Sequence, residues 1–172
     1  TILGLPFDEP PAFAPIDETH PSRPESSYSL AKLAGETIAD QFVRRTGTPY
    51  VGLRISNIME PQDYAAFPDY WDDPLIRRWN LWSYVDARDV AAACELGLSA
   101  EVQGHEIAII AAADNCMTRD SAALMAEVYP GVPITRKLQG RETLLAIDRA
   151  RAVLGYEPQY GWSDEIAGPL GT

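Results

Sequence analysis

A chain of 172 residues that is 46% hydrophobic suits one domain or one large lobe of a bigger one, and it carries no apolar run near the length that crosses a bilayer. Its formal net charge of −11 argues against a phosphate-tracking nucleic-acid surface, which needs clustered Lys and Arg. Two cysteines, Cys94 and Cys116, are too few for a disulfide framework, and no basic leader with an apolar stretch opens the sequence, so a reducing, cytoplasmic setting is expected.

The opening TILG reads as the tail of a strand. Residues 5–24 hold Pro6, Pro10, Pro11, Pro15, Pro21 and Pro24 and read as an irregular loop. From 26 to 45 the period turns helical: Leu30, Leu33, Ala34, Ile38 and Phe42 recur three and four apart as one apolar stripe, and Gly47 is a stop. The run YVGLRISNI, 50–58, is rich in β formers and predicts a strand buried on both faces. An aromatic, proline-rich excursion follows as far as 80, with a short helix near 73–79. LWSYV, 81–85, predicts a strand, and 86–99 a helix with Asp86 or Asp89 in its first turn and Cys94 as a buried small side chain. HEIAIIA, 105–111, predicts a strand, 118–129 a helix capped by Thr118, PITRK at 133–137 an edge strand, and 148–155 a short helix from Asp148 to a stop at Gly155. Strands alternating with helices define an α/β class. His20 and His105 have no cysteine or histidine near them at ligand spacing, so no metal site is expected.

Only two of the cationic residues are lysines, and one of them, Lys32, stands four residues after Tyr28. Residues four apart share a helix face, with Cβ atoms about 5–6 Å apart. A free phenol ionises only near pH 10, and a fixed cation beside it favours the phenolate. The compact lysine ammonium can also donate to vicinal sugar hydroxyls, where a planar guanidinium fits less well. A tyrosine and lysine at this spacing are also common as plain surface residues.

The surroundings carry more. PESSYSLAKLAGE (24–36) resembles the Pro-x-Ser-x-Tyr-x-x-(Ser/Ala)-Lys segment of the extended short-chain dehydrogenases/reductases, the NAD-dependent epimerase/dehydratase family. LRISNIMEP is similar to that family's Leu-Arg-x-x-Asn-Val-Tyr-Gly-Pro, SYVDARDVAAA to its Tyr-Ile-His-Val-x-Asp-x-Ala, and IDRARAVLGYEPQY to its closing Asp-x-x-(Lys/Arg)-Ala-x-x-x-Leu-Gly-(Trp/Tyr)-x-Pro. The resemblance implies the C-terminal part of a Rossmann-type doubly wound parallel sheet plus a small α/β substrate-binding lobe. Residues 1–57 would end the Rossmann-type domain, and 58–172 would form mainly the substrate lobe, with some segments returning to the sheet. Tyr28 would be the acid/base for a substrate hydroxyl during hydride transfer, and Lys32 would hold the nicotinamide ribose and favour the phenolate. Ile55, Ser56 and Asn57 would meet the nicotinamide end of NAD or NADP, with Asn57, Trp82 and Tyr84 facing substrate. Read from the residues alone, Asn57 fits a strand-end cap or turn equally well. The substrate would be a small sugar, nucleotide sugar or related hydroxyl or carbonyl compound, and the Tyr28–Lys32 helix would join two copies as a homodimer.

Four departures qualify that picture. The sequence contains no Gly-rich turn of the dinucleotide-binding kind, so the chain is expected to be a C-terminal portion lacking the pyrophosphate cradle, with weak or no NAD binding and no turnover by itself. The family's catalytic serine or threonine would fall just before Thr1. Trp82 stands where sugar-nucleotide relatives often place a diphosphate-gripping arginine, and Arg77 and Arg78, nearby in sequence, are the candidates to substitute for it. The aromatics Phe67, Tyr70, Trp71, Trp79, Trp82 and Tyr84 read as the small lobe's core or, in part, as a pocket wall, while Asp72 and Asp73 read as solvated charge. Met59 and Glu60 replace a Tyr-Gly pair common in relatives. A non-catalytic binding relative and a truncated association module are the rival readings.

Overall fold

The structure, a computed structural model, describes residues 9–166; the TILG scrap expected as a strand tail lies outside them. Ser26 starts the first element. Its Oγ accepts from the Ser29 N–H at 3.0 Å, which satisfies one of the donors a helix start leaves unpaired. Helix α1 (Ser27–Thr46) then runs to Gly47, whose φ of 72° is the left-handed conformation glycine adopts without a Cβ penalty.

Strand β1 (Tyr50–Ile55) follows, and β4 (His105–Ile110) pairs with it in parallel, from Tyr50 opposite His105 to Ile55 opposite Ile110. Between them lie β2 (Ile58–Met59), 3₁₀ turns at Pro61–Tyr70 and Arg78–Asn80, β3 (Val85–Asp86) and α2 (Ala87–Ser99). β2 and β3 form a second, two-residue parallel ladder. After β4 come α3 (Ser121–Val128), α4 (Asp148–Leu154) and α5 (Trp162–Ile166). α1 and α2 pack on β1, and α1 and α4 on β4, which makes the parallel α/β arrangement the alternation predicted.

Several local expectations give way to tertiary structure. β1 is not buried on both faces: Tyr50 and Ile55 are exposed, and β4 is its only partner among the described residues. The short helix expected near 73–79 is instead a run of turns that ends in the 3₁₀ turn at Arg78–Asn80. LWSYV is not a strand along its length, because Leu81 and Trp82 take φ of 53° and 54°, which no β ladder accommodates. The 118–129 helix starts only at Ser121, with Asp120 at its cap position and Thr118 outside. Asn115 holds the preceding residues as a loop, accepting from Met117 N–H and donating to Arg119 O and Ser121 Oγ. PITRK is reduced to a single bridge from Ile134 to Ala14. Cys94 is exposed, since the neighbouring Ala93 takes the inward place on α2. Helix α5 was not anticipated.

One part of the core is an aromatic cluster. Phe67 meets Tyr64 and Tyr84 edge-on, each at 5.3 Å between ring centroids, and Trp162 at 6.3 Å. Such edge-to-face contacts add to the area that these large rings bury. α5 contributes Trp162 to this cluster, packing against the Pro61–Tyr70 turn. The core reading of Phe67, Trp82 and Tyr84 therefore holds, with Tyr70 and Trp71 half-buried at its edge.

Candidate active site

Arg54 decides how α1 sits. It is a charged residue inside an otherwise apolar strand run, 8% exposed, and its Nε and Nη2 donate to the two carboxylate oxygens of Glu36 at 2.9 Å each. Its Nη1 donates to the Glu18 backbone carbonyl at 3.1 Å, while the Glu18 carboxylate accepts the Ile109 N–H of β4 at 2.8 Å. One side chain thus ties helix, strand and proline-rich loop together, in the two-pronged geometry that suits arginine. Further along, Asp40 meets His105 Nδ1 at 2.8 Å, and His105 Nε2 lies 3.2 Å from where a Cβ on Gly52 would stand. Ser29, Leu33, Glu36, Ala39 and Val43 consequently face the sheet.

Tyr28 and Lys32 fall on the outer flank, both exposed, Tyr28 at 65%. The Lys32 ammonium lies 5.3 Å from the Tyr28 ring centroid, so the two side chains share one face as their spacing predicts. Because α1 leads into β1 through a three-residue link, the start of the helix and the carboxyl end of the strand come to the same side of the sheet. That side is where open α/β sheets take their ligands. Ile55 ends β1 and Ser56 continues its ladder, donating its N–H to Ile110 O at 2.9 Å. Asn57 then passes the chain to the second ladder, its carbonyl accepting the Val85 N–H at 3.0 Å, while its amide approaches Met59 Sδ at 3.7 Å. The Ser56 hydroxyl is sealed and has no partner among the described residues, an unmet polar atom beside Asn57. This end of the sheet fits the nicotinamide-ribose half of a dinucleotide. The Gly-rich turn that would take the pyrophosphate is not among the chain's residues.

Trp82 and Tyr84, expected beside substrate, are fully buried. The Trp82 indole donates to Pro74 O at 2.7 Å, and the Tyr84 hydroxyl donates to Asp114 at 2.6 Å while accepting the Trp162 N–H at 3.1 Å. Their polar ends are spent inside the fold. They act here as core residues and do not present a surface to a ligand. Asp73 is exposed and caps its own turn by accepting the Leu75 N–H. Among the described residues no cluster of His, Cys, Asp or Glu could hold a metal, and no helix is long and apolar enough to cross a membrane.

The burial and partners of two arrangements were not read from the sequence. Asp86, which caps α2, is fully buried, and burial alone would push its carboxyl up. Hydrogen bonds from Arg88 and from the Tyr64 hydroxyl at 2.6 Å outweigh that and hold it below the usual carboxylate value. Asp89, one turn on, is pushed up by burial although it accepts the Gln159 and Tyr160 N–H groups. The second is Arg77, buried against Tyr70 and Trp79. A cation inside a run of six aromatics was the available signal for it.

Residues 7–111 match the model of the NAD dependent epimerase/dehydratase family. Over 71 residues the chain is 43% identical to a putative UDP-glucose 4-epimerase of Methanocaldococcus jannaschii, a stretch of 39% of this chain and 23% of that protein. Among solved structures, a short-chain dehydrogenase/reductase superfamily protein from Agrobacterium tumefaciens with bound NAD superimposes at a TM-score of 0.63 and 21% identity, covering 96% of this chain and 62% of that one. UDP-glucose 4-epimerase from Thermotoga maritima, with UDP-glucose, gives 0.62 and 20%, covering 96% and 59%. The chain therefore spans about three-fifths of the length of these solved relatives and shares their fold. With its sequence matched over well more than half its length, the chain belongs to the NAD dependent epimerase/dehydratase family.

Proposed function

We propose that this chain supplies the acid/base and substrate-binding part of an NAD(P)-dependent oxidoreductase, epimerase or dehydratase that acts on a sugar or nucleotide sugar. The observation that carries this reading is the exposed Tyr28–Lys32 pair on a helix clamped to the strand that ends in Ile55, Ser56 and Asn57. Tyr28 takes the proton of a substrate hydroxyl, or returns it to a carbonyl, and Lys32 favours the phenolate and binds the nicotinamide ribose. Ile55 and Ser56 offer backbone beside the nicotinamide, and Asn57 orients substrate. When bound, the nicotinamide supplies the hydride acceptor and donor. Residues 1–57 belong to the cofactor domain and 58–172 chiefly to the substrate lobe, in a cytoplasmic protein. The relatives solved with NAD and with UDP-glucose support the cofactor and substrate classes. The exposed Leu30, Ile38 and Phe42 on the outer face of α1 favour a homodimer formed through that helix.

The test is Tyr28→Phe in the full protein, assayed for conversion of a nucleotide sugar with NAD and with NADP. A loss of several orders of magnitude in rate, with cofactor binding kept, is the expected result. Near-normal turnover would sink the assignment. Light scattering on the same samples checks association, and a monomer at high concentration would count against the α1 dimer.

A further inference from the structure

The backbone of Asn57 is pinned from both sides. Ser56, just before it, donates its N–H to Ile110 O at 2.9 Å in the first ladder, and the Asn57 carbonyl accepts the Val85 N–H at 3.0 Å in the second. What stays free is the side chain, and above all which end of its amide points outward. The nitrogen end donates and the oxygen end accepts, so a half turn of the amide reverses what the residue can bind.

The Met59 sulfur removes that choice. Asn57 Nδ2 lies 3.7 Å from Met59 Sδ. A thioether has no proton to give and can only accept, so the nitrogen end belongs against it, and the reversed amide would set two acceptors face to face. The sulfur stands on a fixed base. Met59 is 8% exposed and pairs in the two-residue ladder with Asp86, whose carboxylate Tyr64 and Arg88 hold. Asn57 is half-buried, and its Oδ1 meets no donor among the described residues and is not one of the sealed atoms. An acceptor with no partner of its own is thus presented at the carboxyl end of β1, on the side of the sheet where the Tyr28 helix begins.

We propose that Met59 is a positioning residue that holds the Asn57 amide with its oxygen outward, so that this end of the sheet takes a ligand through a donor, a sugar hydroxyl or an amide N–H, rather than through an acceptor. The tyrosine common at this position in relatives carries an O–H that both donates and accepts, and it would leave either amide orientation open. Methionine leaves one. Identifying the ligand with the substrate of the Tyr28 reaction rests on the proposed function, whereas the orientation of the amide rests on the sulfur contact.

Two variants at position 59 separate an acceptor from a packing group. Met59→Leu keeps an apolar side chain of similar size without an acceptor, and Met59→Gln keeps the unbranched length and supplies an oxygen. The side-chain amide signals of the full protein carrying isotope-labelled asparagine, with those of Asn57 identified by their loss in Asn57→Ala, read the orientation without any ligand. Met59→Leu should shift the Asn57 signals and speed their exchange with water, and Met59→Gln should restore the protection. Signals that Met59→Leu leaves unmoved refute the proposal. In turnover of UDP-glucose with NAD or NADP, Met59→Leu should raise KM about three- to tenfold, by more than it lowers kcat, and Met59→Gln should return KM toward the native value. In an Asn57→Ala background, Met59→Leu should change KM no further. A packing role gives the reverse order, with leucine harmless and glutamine harmful, and that result overturns the proposal. Should Met59→Gln fail to fold, the two backgrounds decide: an equal rise in KM with and without Asn57 refutes the positioning role. Should the native protein convert no UDP-glucose, the proposed function fails there, and the amide signals alone decide whether Met59 orients Asn57.

Discussion

Arg54 and Glu36 meet through two parallel hydrogen bonds of 2.9 Å, joining strand β1 to the middle of α1 across eighteen residues of sequence. Both are largely buried, so neither charge has water to fall back on. Removing one partner of such a pair leaves the other uncompensated, and Arg54→Met or Glu36→Gln should each cost about 3 kcal/mol of stability. The double variant Arg54→Met/Glu36→Gln should cost less than the sum of the single losses. Urea denaturation of the three variants checks this, and strictly additive losses would show that the pair does not act as a unit.

His20 gives the fold an acid-sensitive joint. It is buried, its Nδ1 lies 3.1 Å from Pro21 O, and its Nε2 accepts the Ala12 N–H at 3.0 Å, so the neutral ring with hydrogen on Nδ1 satisfies both contacts. Burial lowers its affinity for a proton below the ordinary value of 6.5. The unfolded chain then binds more protons than the folded one in the window beneath 6.5, and stability falls as pH drops through it. Melting temperature should decline from pH 7.5 to 5.5, and His20→Gln, whose amide oxygen can still accept from Ala12, should flatten the decline. An equal decline in both proteins would remove His20 as the cause.

Tyr64 and Asp86 carry a dependence of the same sign in a more acidic window. The Tyr64 hydroxyl donates to a fully buried carboxylate that Arg88 also holds. Tyr64→Phe should cost about 1.5–3 kcal/mol at neutral pH, as expected for a hydrogen bond to a charged group. Because Asp86 is held below its ordinary value of 3.8, the stabilisation is complete above that pH and is lost as pH falls below it. The gap between native protein and variant should therefore narrow in acid. A gap that stays constant down to pH 3 would contradict the charged hydrogen bond.

The two cysteines should separate cleanly in reactivity. Cys94 is exposed on α2, while Cys116 is buried and its thiol is pushed up to about 11 by that burial. The thiolate is the reactive species, so a native-state thiol reagent should modify one cysteine quickly, and Cys94→Ser should abolish that fast phase. Mass spectrometry of the labelled protein reads the site. Rapid labelling at Cys116 would show that the core around Trp71, whose indole donates to the Cys116 carbonyl, opens readily.

What the sequence made legible was local. The start of α1 near Ser26 and its stop at Gly47, the strand runs of β1 and β4, and the Gly155 stop of α4 follow from side chains acting within a few residues, and the family resemblance rested on the same short segments. Tyr28 and Lys32 shared a face because helix geometry allows nothing else. The misses were of another kind. Trp82 and Tyr84 looked available because an aromatic beside a motif says nothing about which way it faces, and two left-handed residues turned LWSYV from a strand into a buried corner. Thr118 lost the cap of α3 to a loop organised by Asn115. Arg54 and Arg77 were legible only as charges in apolar or aromatic company. Whether such a charge has found a carboxylate, as Arg54 has, or only ring faces, as Arg77 has, is settled by contacts far apart in the chain.

The ladder between β1 and β4 pairs Tyr50 with His105, residues separated by 105 − 50 = 55 positions, and every later pair keeps the same offset. Nothing in either strand can form this ladder until the chain between them, with its aromatic cluster and α2, has closed back on itself. α1, by contrast, needs only its own twenty residues and the Ser26 cap. Long-range parallel pairing of this sort slows folding, because the entropy of closing the loop is lost before any strand hydrogen bond repays it. The helix that bears Tyr28 can therefore wind early, but the sheet that gives it a fixed place closes late.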